Sequence, residues 1–418
     1  MTLALAEAGK NIKNAVVGKA MKQWLPMIPG FFFSGLAAGI KKNREKDMGL
    51  IFSEAPAVAA GVFTRNWVKA APVLLTQKRL QRGHLQAVLV NSGCANACTG
   101  KRGMEDAKVL ADKTARRLNI PSERIAVAST GVIGEFLPLK KMVPCLPPLC
   151  EGLKEEKIED FAQAIMTTDT KPKIAFREKV IDEKQIIIAG IAKGAGMINP
   201  SLATMLVFIL TNAAIGPQSL PALLEEGVGD TFNRITIDGD TSTNDMVLLL
   251  ANGQAGNRPF SKRSAETTGF KTMLFEVMEE LAQKIIQDGE GVTKVIEIKV
   301  QKAKSRLEAE TIARSIAYSP LVKTSFYGEE ANWGRIIAAA GKTQFPISFE
   351  KVDLFINHIP LVSKGVILGS RNERRAQREM KNKLFAITII LNQGNREASI
   401  LTTDFSPEYV TINAGYKS

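Results

Sequence analysis

The chain has 418 residues, 45% of them hydrophobic, and a mean hydropathy of -0.01, enough to bury two or three ordinary cores and unlike a disordered or collagen-like polymer. Lys and Arg outnumber Asp and Glu by 55 to 42 for a net charge of +13, but the excess is diffuse, and its densest cluster, Arg371 to Lys383, interleaves Glu373 and Glu379 as a solvated helix face does, so no nucleic-acid partner is expected. No stretch approaches the ~18 uninterrupted apolar residues of a spanning helix, since "MIPGFFFSGLAAGI" is broken by Pro29, Gly30 and Ser34; no membrane partner is expected and a cytoplasmic location is.

Residues 1–28 carry Lys10, Lys13, Lys19 and Lys22 opposed by Glu7 alone, without the Arg and Ser of a transit peptide or the basic start of a secretory signal. They are expected to form an untargeted N-terminal extension. "QAVLVNSG", Gln86 to Gly93, reads as a buried strand ending at a glycine turn, and "RGMEDAKVLADKTARRLNI" as an amphipathic helix closed by Asn119 and Pro121. "RIAVAST" and "KQIIIAGIA" read as strands, with a helix ending at "FAQAIMTTD" between them. A Gly-rich turn then leads into "TMLVFILT", whose length and β-branched and aromatic content predict a buried strand with Thr204 as its first residue.

The second half alternates in the same way. "LPALLEEGVGDTFNRI" predicts a helix, "DMVLLLANG" a strand, "GFKTMLFEVMEELAQKIIQ" a long helix beginning near Gly269, and "GVTKVIEIKV" a strand. Helices follow at "KSRLEAETIARSIAYS" and "NWGRIIAAAG", then a strand at "KLFAITIILNQG". No Pro/Ser-rich linker separates the halves. The expected class is α/β, with two closely packed lobes and mixed β-sheets layered with helices. The cysteine pairs, Cys94 with Cys98 and Cys145 with Cys150, have spacings unusual for zinc, and "CLPPLC" lacks a polar turn; reduced structural thiols are expected.

Much familiar chemistry is disfavoured. With only His84 and His358 there is no HExxH helix, and no G-x-S-x-G elbow or G-x-x-x-x-G-K-[ST] loop occurs. "GAGMIN" lacks the third glycine of a dinucleotide loop. A hydroxyl nucleophile needing no histidine remains: a threonine that begins a chain can use its own α-amino group, which titrates near 8, as base. "KGAGMINPSLATML", Lys193 to Leu206, offers such a threonine, with small Ala203 before it, Gly194 and Gly196 in the approach, and a rigid strand after it. Taken alone, a strand-capping or packing role for Thr204 is the simpler alternative. Asp238, Asp240 and Asp245 in "DGDTSTND" lack EF-hand spacing and read as structural.

The motifs match a known family when taken together. "AAGVFTRNWVKAAPV", "NSGCANACTG", "ASTGVIGEFLP", "AIMTTDT", "KGAGMINPSLATML", "DGDTSTND", "QDGEGVTK", "GEEANWGRI" and "YVTINAGYKS" run in order from about Pro29 to Ser418. In these the chain resembles the bifunctional ornithine acetyltransferase/glutamate N-acetyltransferase enzymes of arginine biosynthesis, self-cleaving proteins with an N-terminal threonine nucleophile. It departs from the family pattern at Cys94 (usually Asn), Asn199 (usually Ala), Ser201-Leu202 (usually Asn-Met) and Ala331 (usually Pro). None of these removes a residue of the implied chemistry, although Asn199 and Leu202 lie near the scissile bond.

The resemblance implies an N-terminal-nucleophile-like fold, cleavage between Ala203 and Thr204, and Thr204 as nucleophile, with Thr130 and Gly131 as the oxyanion hole. It makes Thr167, Lys193, Thr204, Glu290, Asn413 and Ser418 substrate contacts. Lys193 suits an α-carboxylate and Glu290 an ornithine ammonium, on chemical grounds. The implied organisation is an extension at 1–28, an α chain over 29–203 bearing the oxyanion hole, and a β chain over 204–418, assembled as α2β2. The implied reaction moves acetyl from N2-acetylornithine to glutamate through acetyl-Thr204, with no metal or other cofactor; acetyl-CoA stays open as a second donor. Two rivals are kept: a self-processing aminopeptidase or amidohydrolase, and a non-catalytic basic binding protein.

Overall fold

The computed structural model describes residues 27–199, 205–260 and 265–415. Most of the N-terminal extension, the junction residues Ala203 and Thr204, and Ser418 lie outside the described residues.

The first sheet is built from β1 (Phe31–Leu36), β2 (Met48–Phe63), β3 (His84–Cys94), β4 (Ile125–Val132), β5 (Lys173–Ile181), β6 (Lys184–Lys193), β7 (Leu206–Thr211) and β8 (Met246–Ala251). Its order is β4-β3-β2-β8-β7-β6-β5, with β1 also on β2. The β3–β4 and β7–β8 pairs are parallel and the others antiparallel. Around it lie α1 (Ala71–Leu80), α2 (Gly100–Leu118), α3 (Leu139–Glu151), α4 (Ile158–Ala164), α5 (Ser219–Asp230) and α6 (Ala265–Gln287).

The unbroken apolar run of β7 follows from this layering. Val207 and Ile209 pack with Leu224 of α5 and Leu281 of α6, while Leu206, Phe208 and Leu210 pack with Val73 of α1 and Phe161 of α4. A strand covered on both faces must be apolar at every position. The Phe161 and Phe208 rings meet edge to face, 5.5 Å between centroids.

The second sheet contains β9 (Val295–Ala303), β10 (Asp353–Ile356), β11 (Ile359–Ser363), β12 (Val366–Ile367), β13 (Leu384–Ile390) and β14 (Arg396–Thr403), in the order β12-β11-β10-β13-β9-β14. Accompanying helices are α7 (Arg306–Ala317), α8 (Pro320–Tyr327), α9 (Trp333–Gly341), α10 (Ser370–Glu379) and α11 (Pro407–Gly415). The mixed α/β architecture with layered sheets and helices is the expected one. The sheets part between β8 and β9, so β6 and β7, the strands before and after the junction in sequence, share the first sheet, and β7 and β8 occupy its centre.

Local departures from expectation have physical causes. The long helix begins at Ala265, ahead of Gly269. α3 forms despite Pro144, Pro147 and Pro148, because Met142, Leu146 and Leu149 recur at helical spacing and are all buried. β2 contains Pro56, but its pairing with β3 is interrupted between Phe52 and Ala57, so that proline sits at a bulge where no ladder donor is needed. Among the described residues no helix is long and apolar enough to cross a membrane. All four cysteines are free thiols.

Candidate active site

β4 ends where the chain must bend closely past β3. Thr130 and Gly131 pair there with Ser92 and Gly93. Gly131 has φ +127°, and a Cβ on it would lie 2.4 Å from the Gly93 carbonyl carbon, so only glycine fits. Asn244, from the loop before β8, donates to Ala95 O at 2.7 Å and Ser129 O at 2.8 Å, tying both strand ends to the "DGDTSTND" loop. The bend exposes a Thr130 hydroxyl and a Gly131 backbone to one small pocket, shared with Thr167, Lys193, Gly196, Glu290 and Asn413.

Lys193 closes β6 and is 1% exposed. Its Nζ donates to Thr167 Oγ1 at 2.7 Å and to Thr130 Oγ1 at 3.3 Å. Burial pulls its pKa below the ordinary lysine value, and Asp169 is the strongest group opposing that. In the same pocket Glu290, just beyond α6, donates its N–H to Ala195 O at 2.8 Å, and its Oε2 accepts Asn413 Nδ2 of α11 at 2.8 Å. Gly196 touches this carboxylate so closely that a Cβ would lie 2.3 Å from Oε2. A cation and a carboxylate lining one pocket fit a zwitterionic ligand.

The strand pairing brings Met205 and Leu206 beside this place. Leu206 is the cross-strand partner of Lys193, and the Met205 N–H donates to Asp245 Oδ1 at 3.0 Å. On the other side of the junction Asp238 accepts the N–H groups of Met197 at 2.5 Å and Ile198 at 3.0 Å. Burial pushes the Asp238 carboxyl up to about 6 against these hydrogen bonds. A wider groove on the second sheet, near Arg306 and Glu397, holds side chains already paired with each other, as Arg306 is with Glu310, and lies away from these groups.

The model of the ArgJ family matches residues 32–418. The chain belongs to the ArgJ family. It is 47% identical over 391 residues to the arginine biosynthesis bifunctional protein ArgJ of Desulfotalea psychrophila, covering 94% of this chain and 100% of that one. With the protein of the same name from Thermotoga neapolitana it is 46% identical over 398 residues, 93% of this chain and 99% of the other. Among solved structures it is similar to the Mycobacterium tuberculosis ornithine acetyltransferase complexed with ornithine, at 40% identity, TM-score 0.38, with 42% of this chain and 94% of that chain covered.

Within this ArgJ chain, Thr130, Gly131, Thr167, Lys193, Glu290 and Asn413, scattered over 284 positions of sequence, line one pocket. Ala203, Thr204 and Ser418 lie outside the described residues. The C-terminal helix α11 is largely exposed, with Val410 64% exposed, and is held by the Asn413–Glu290 bond and by stacking of Tyr409 on Phe405 at 4.8 Å. Sequence inspection missed Asp169, Lys173 and Asp288, a buried charge cluster behind Lys193. Asp169 and Asp288 stood within "AIMTTDT" and "QDGEGVTK", but no local periodicity marks Asp288, whose partners Thr170 and Lys173 are over 100 positions away, or joins Asp169 to Lys193 on the far side of a hairpin.

Proposed function

We propose that this ArgJ-family chain is an acetyltransferase of arginine biosynthesis that passes acetyl from N2-acetylornithine to glutamate through an ester on Thr204. Maturation comes first. Thr204 Oγ attacks the Ala203 carbonyl carbon, the C–N bond breaks as acyl shifts to oxygen, and water hydrolyses the ester, leaving an Ala203 carboxylate and a free Thr204 amine. That amine then takes the Oγ proton as Oγ attacks the acetyl carbonyl, with the Thr130 hydroxyl and Gly131 N–H stabilising the oxyanion. Ornithine leaves through its N2 amine carrying the proton, and the glutamate amine attacks the acetyl-Thr204 ester to give N-acetylglutamate. Lys193 receives the α-carboxylate and Glu290 the side-chain ammonium of ornithine, with Thr167, Asn413 and Ser418 as further contacts.

The observation that carries this proposal is the pocket itself: a hydroxyl and a glycine N–H at the end of β4, with a buried lysine and a carboxylate in the same lining, the lysine paired across strands with Leu206, the first residue of β7. No metal or other cofactor enters the reaction as written. Acetyl-CoA serves as a second donor if the enzyme makes N-acetylglutamate directly. The α chain (29–203, with the extension 1–28) and β chain (204–418) assemble as α2β2 in the cytoplasm.

Intact mass under denaturing conditions tests the nucleophile. Wild type should yield two fragments meeting between Ala203 and Thr204, and Thr204→Ala a single chain. Acetyl transfer from N2-acetylornithine should then depend on glutamate. Release of acetate to water alone would make the protein an amidohydrolase, and uncut, inactive wild type would leave a binding protein. Assay with acetyl-CoA and glutamate decides the second donor.

A further inference from the structure

Two lysines are buried beside the pocket, and they are held differently. Lys173, the first residue of β5, lies 2.5 Å from Asp169 Oδ1 and 2.6 Å from Asp288 Oδ2 with no exposed surface. Asp288 is fixed in turn by the N–H and hydroxyl of Thr170. Lys193 spends its hydrogen bonds on the hydroxyls of Thr167 and Thr130, and its ion-pair partner among the described residues, Asp169 Oδ2, is 4.0 Å away. Direct contact with two carboxylates neutralises the charge of Lys173. Lys193 is supported by a charge at a distance, and among the described residues one of its three donors remains for a ligand.

Asp169 connects the two lysines. Its Oδ1 accepts Lys173 and also the Gly194 N–H at 2.7 Å, while its Oδ2 accepts the Thr167 N–H at 3.1 Å. One carboxylate therefore fixes the residue after Lys193 and the residue whose hydroxyl orients Lys193. Burial works against charge here, yet Lys193 and Lys173 hold the Asp169 carboxyl down at about 2, so it is an anion at any working pH. The charged and titratable groups facing Lys193 are Asp169, Lys173, Glu290 and Asp245; after burial itself, Asp169 acts most strongly, in favour of the protonated amine, and Lys173 acts against it. A cation removed from water needs such a counter-charge to survive.

We infer that Asp169, clamped by Lys173 and Asp288, is a positioning residue that keeps Lys193 protonated and aimed into the pocket as a receptor for the carboxylate of an amino-acid substrate. The inference rests on the acetyltransferase proposal for the identity of that substrate.

Asp169→Asn keeps the shape and removes the charge. In the mature enzyme it is expected to lower the alkaline limb of kcat/KM by about one pH unit and raise KM for N2-acetylornithine and glutamate about tenfold, while kcat falls less than about threefold. Asp288→Asn, which touches Lys173 and not Lys193, should move the limb less. If Asp169→Asn does not fold, the double variant Asp169→Asn with Lys173→Met removes one buried charge of each sign, and a smaller downward shift is expected in it because Lys173 opposes the protonated amine. A second readout is independent of acetyl transfer: the NMR titration of the Lys193 amine in lysine-labelled protein, assigned by its loss in Lys193→Met, should move to lower pH in the Asp169 variant. An unmoved titration in a folded Asp169 variant overturns the inference whatever the activity. A moved titration with unchanged KM overturns the receptor role. Wild type that transfers no acetyl between these substrates, with the titration moving as expected, overturns the acetyltransferase proposal and supports the positioning role.

Discussion

The Met205 N–H donates to Asp245 Oδ1 at 3.0 Å, immediately ahead of the parallel pairing of β7 with β8. Asp245 has no exposed surface, its carbonyl accepts the Thr64 N–H at 3.1 Å, and among the described residues its Oδ2 is left without a hydrogen bond. The hydroxyls of Thr64 and Ser242 face the carboxyl, yet Thr64 gives its proton to Ser242 O at 2.7 Å. Burial pushes this carboxyl well above the usual range.

A raised folded-state pKa means that the stability this group contributes is fully present below the ordinary carboxylate range and is lost as pH rises through the raised value. Asp245→Asn keeps the acceptor for Met205 without an ionisable proton. It should leave neutral-pH stability within about 1 kcal/mol of wild type and flatten the decline at higher pH, whereas Asp245→Ala orphans the Met205 N–H and should cost about 1–3 kcal/mol. Urea denaturation at two pH values separates the cases; equal losses for Asn and Ala at neutral pH would show that the buried carboxyl is ionised.

Gly131→Ala places a methyl 2.4 Å from the Gly93 carbonyl carbon and strains a backbone held at φ +127°. If this N–H stabilises the oxyanion, kcat for acetyl transfer should fall about 100- to 1000-fold, and Thr130→Ala should produce a loss of that order without disturbing the backbone. Turnover is to be measured on protein first shown to be folded and cleaved. Wild-type turnover in the Thr130 variant would remove its hydroxyl from the oxyanion hole.

Gly196→Ala tests the pocket carboxylate. The added Cβ would lie 2.3 Å from Glu290 Oε2, so the carboxylate must move and its bond from Asn413 must stretch or break. Because Glu290 is assigned to binding, KM for N2-acetylornithine should rise about tenfold with kcat changed less than about threefold, while KM for glutamate, which lacks the ammonium side chain, rises less. Asn413→Ala should have the same pattern at smaller size. Equal effects on the two substrates would move Glu290 out of ornithine recognition.

How far the sequence led depended on whether a feature was local. β7 and β8 were legible because strands covered on both faces are apolar throughout, and α2 because its end is marked by Asn119, which takes the left-handed conformation at φ 53°. β2 was obscured by Pro56 and α3 by its three prolines, since burial decided both against local preference. The pocket residues were named from the resemblance to family motifs, which holds chain order without showing contact. Lys173 and Asp288 were invisible for the complementary reason: their meaning is a contact across 115 positions, and either alone reads as a surface charge.

The approach to the junction is held by side-chain hydrogen bonds. Asn199 Nδ2 donates to Gly239 O at 2.6 Å and Thr241 Oγ1 at 3.1 Å, and its Oδ1 accepts the Tyr318 hydroxyl at 2.5 Å. Burial pushes the Tyr318 phenol up to about 12, so it remains a donor throughout the working range. Asp238 pins the backbone of Met197 and Ile198 and the Asn199 side chain pins the next residue, leaving a short span before the scissile bond. An acyl shift needs the Ala203 carbonyl held within reach of Thr204 Oγ, and order imposed on one end of that span favours it. Three lost hydrogen bonds, each worth about 1 kcal/mol net, would together exceed the effect needed, so Asn199→Ala should slow self-cleavage about tenfold and Tyr318→Phe, losing one, about threefold. The measurement is the uncut fraction against time after synthesis, followed by intact mass, with the melting temperature of the uncut chain as control. Slowed cleavage at unchanged melting temperature locates the effect in the approach to the scissile bond; unchanged cleavage in both variants would mean that Asp238 holds the segment without them.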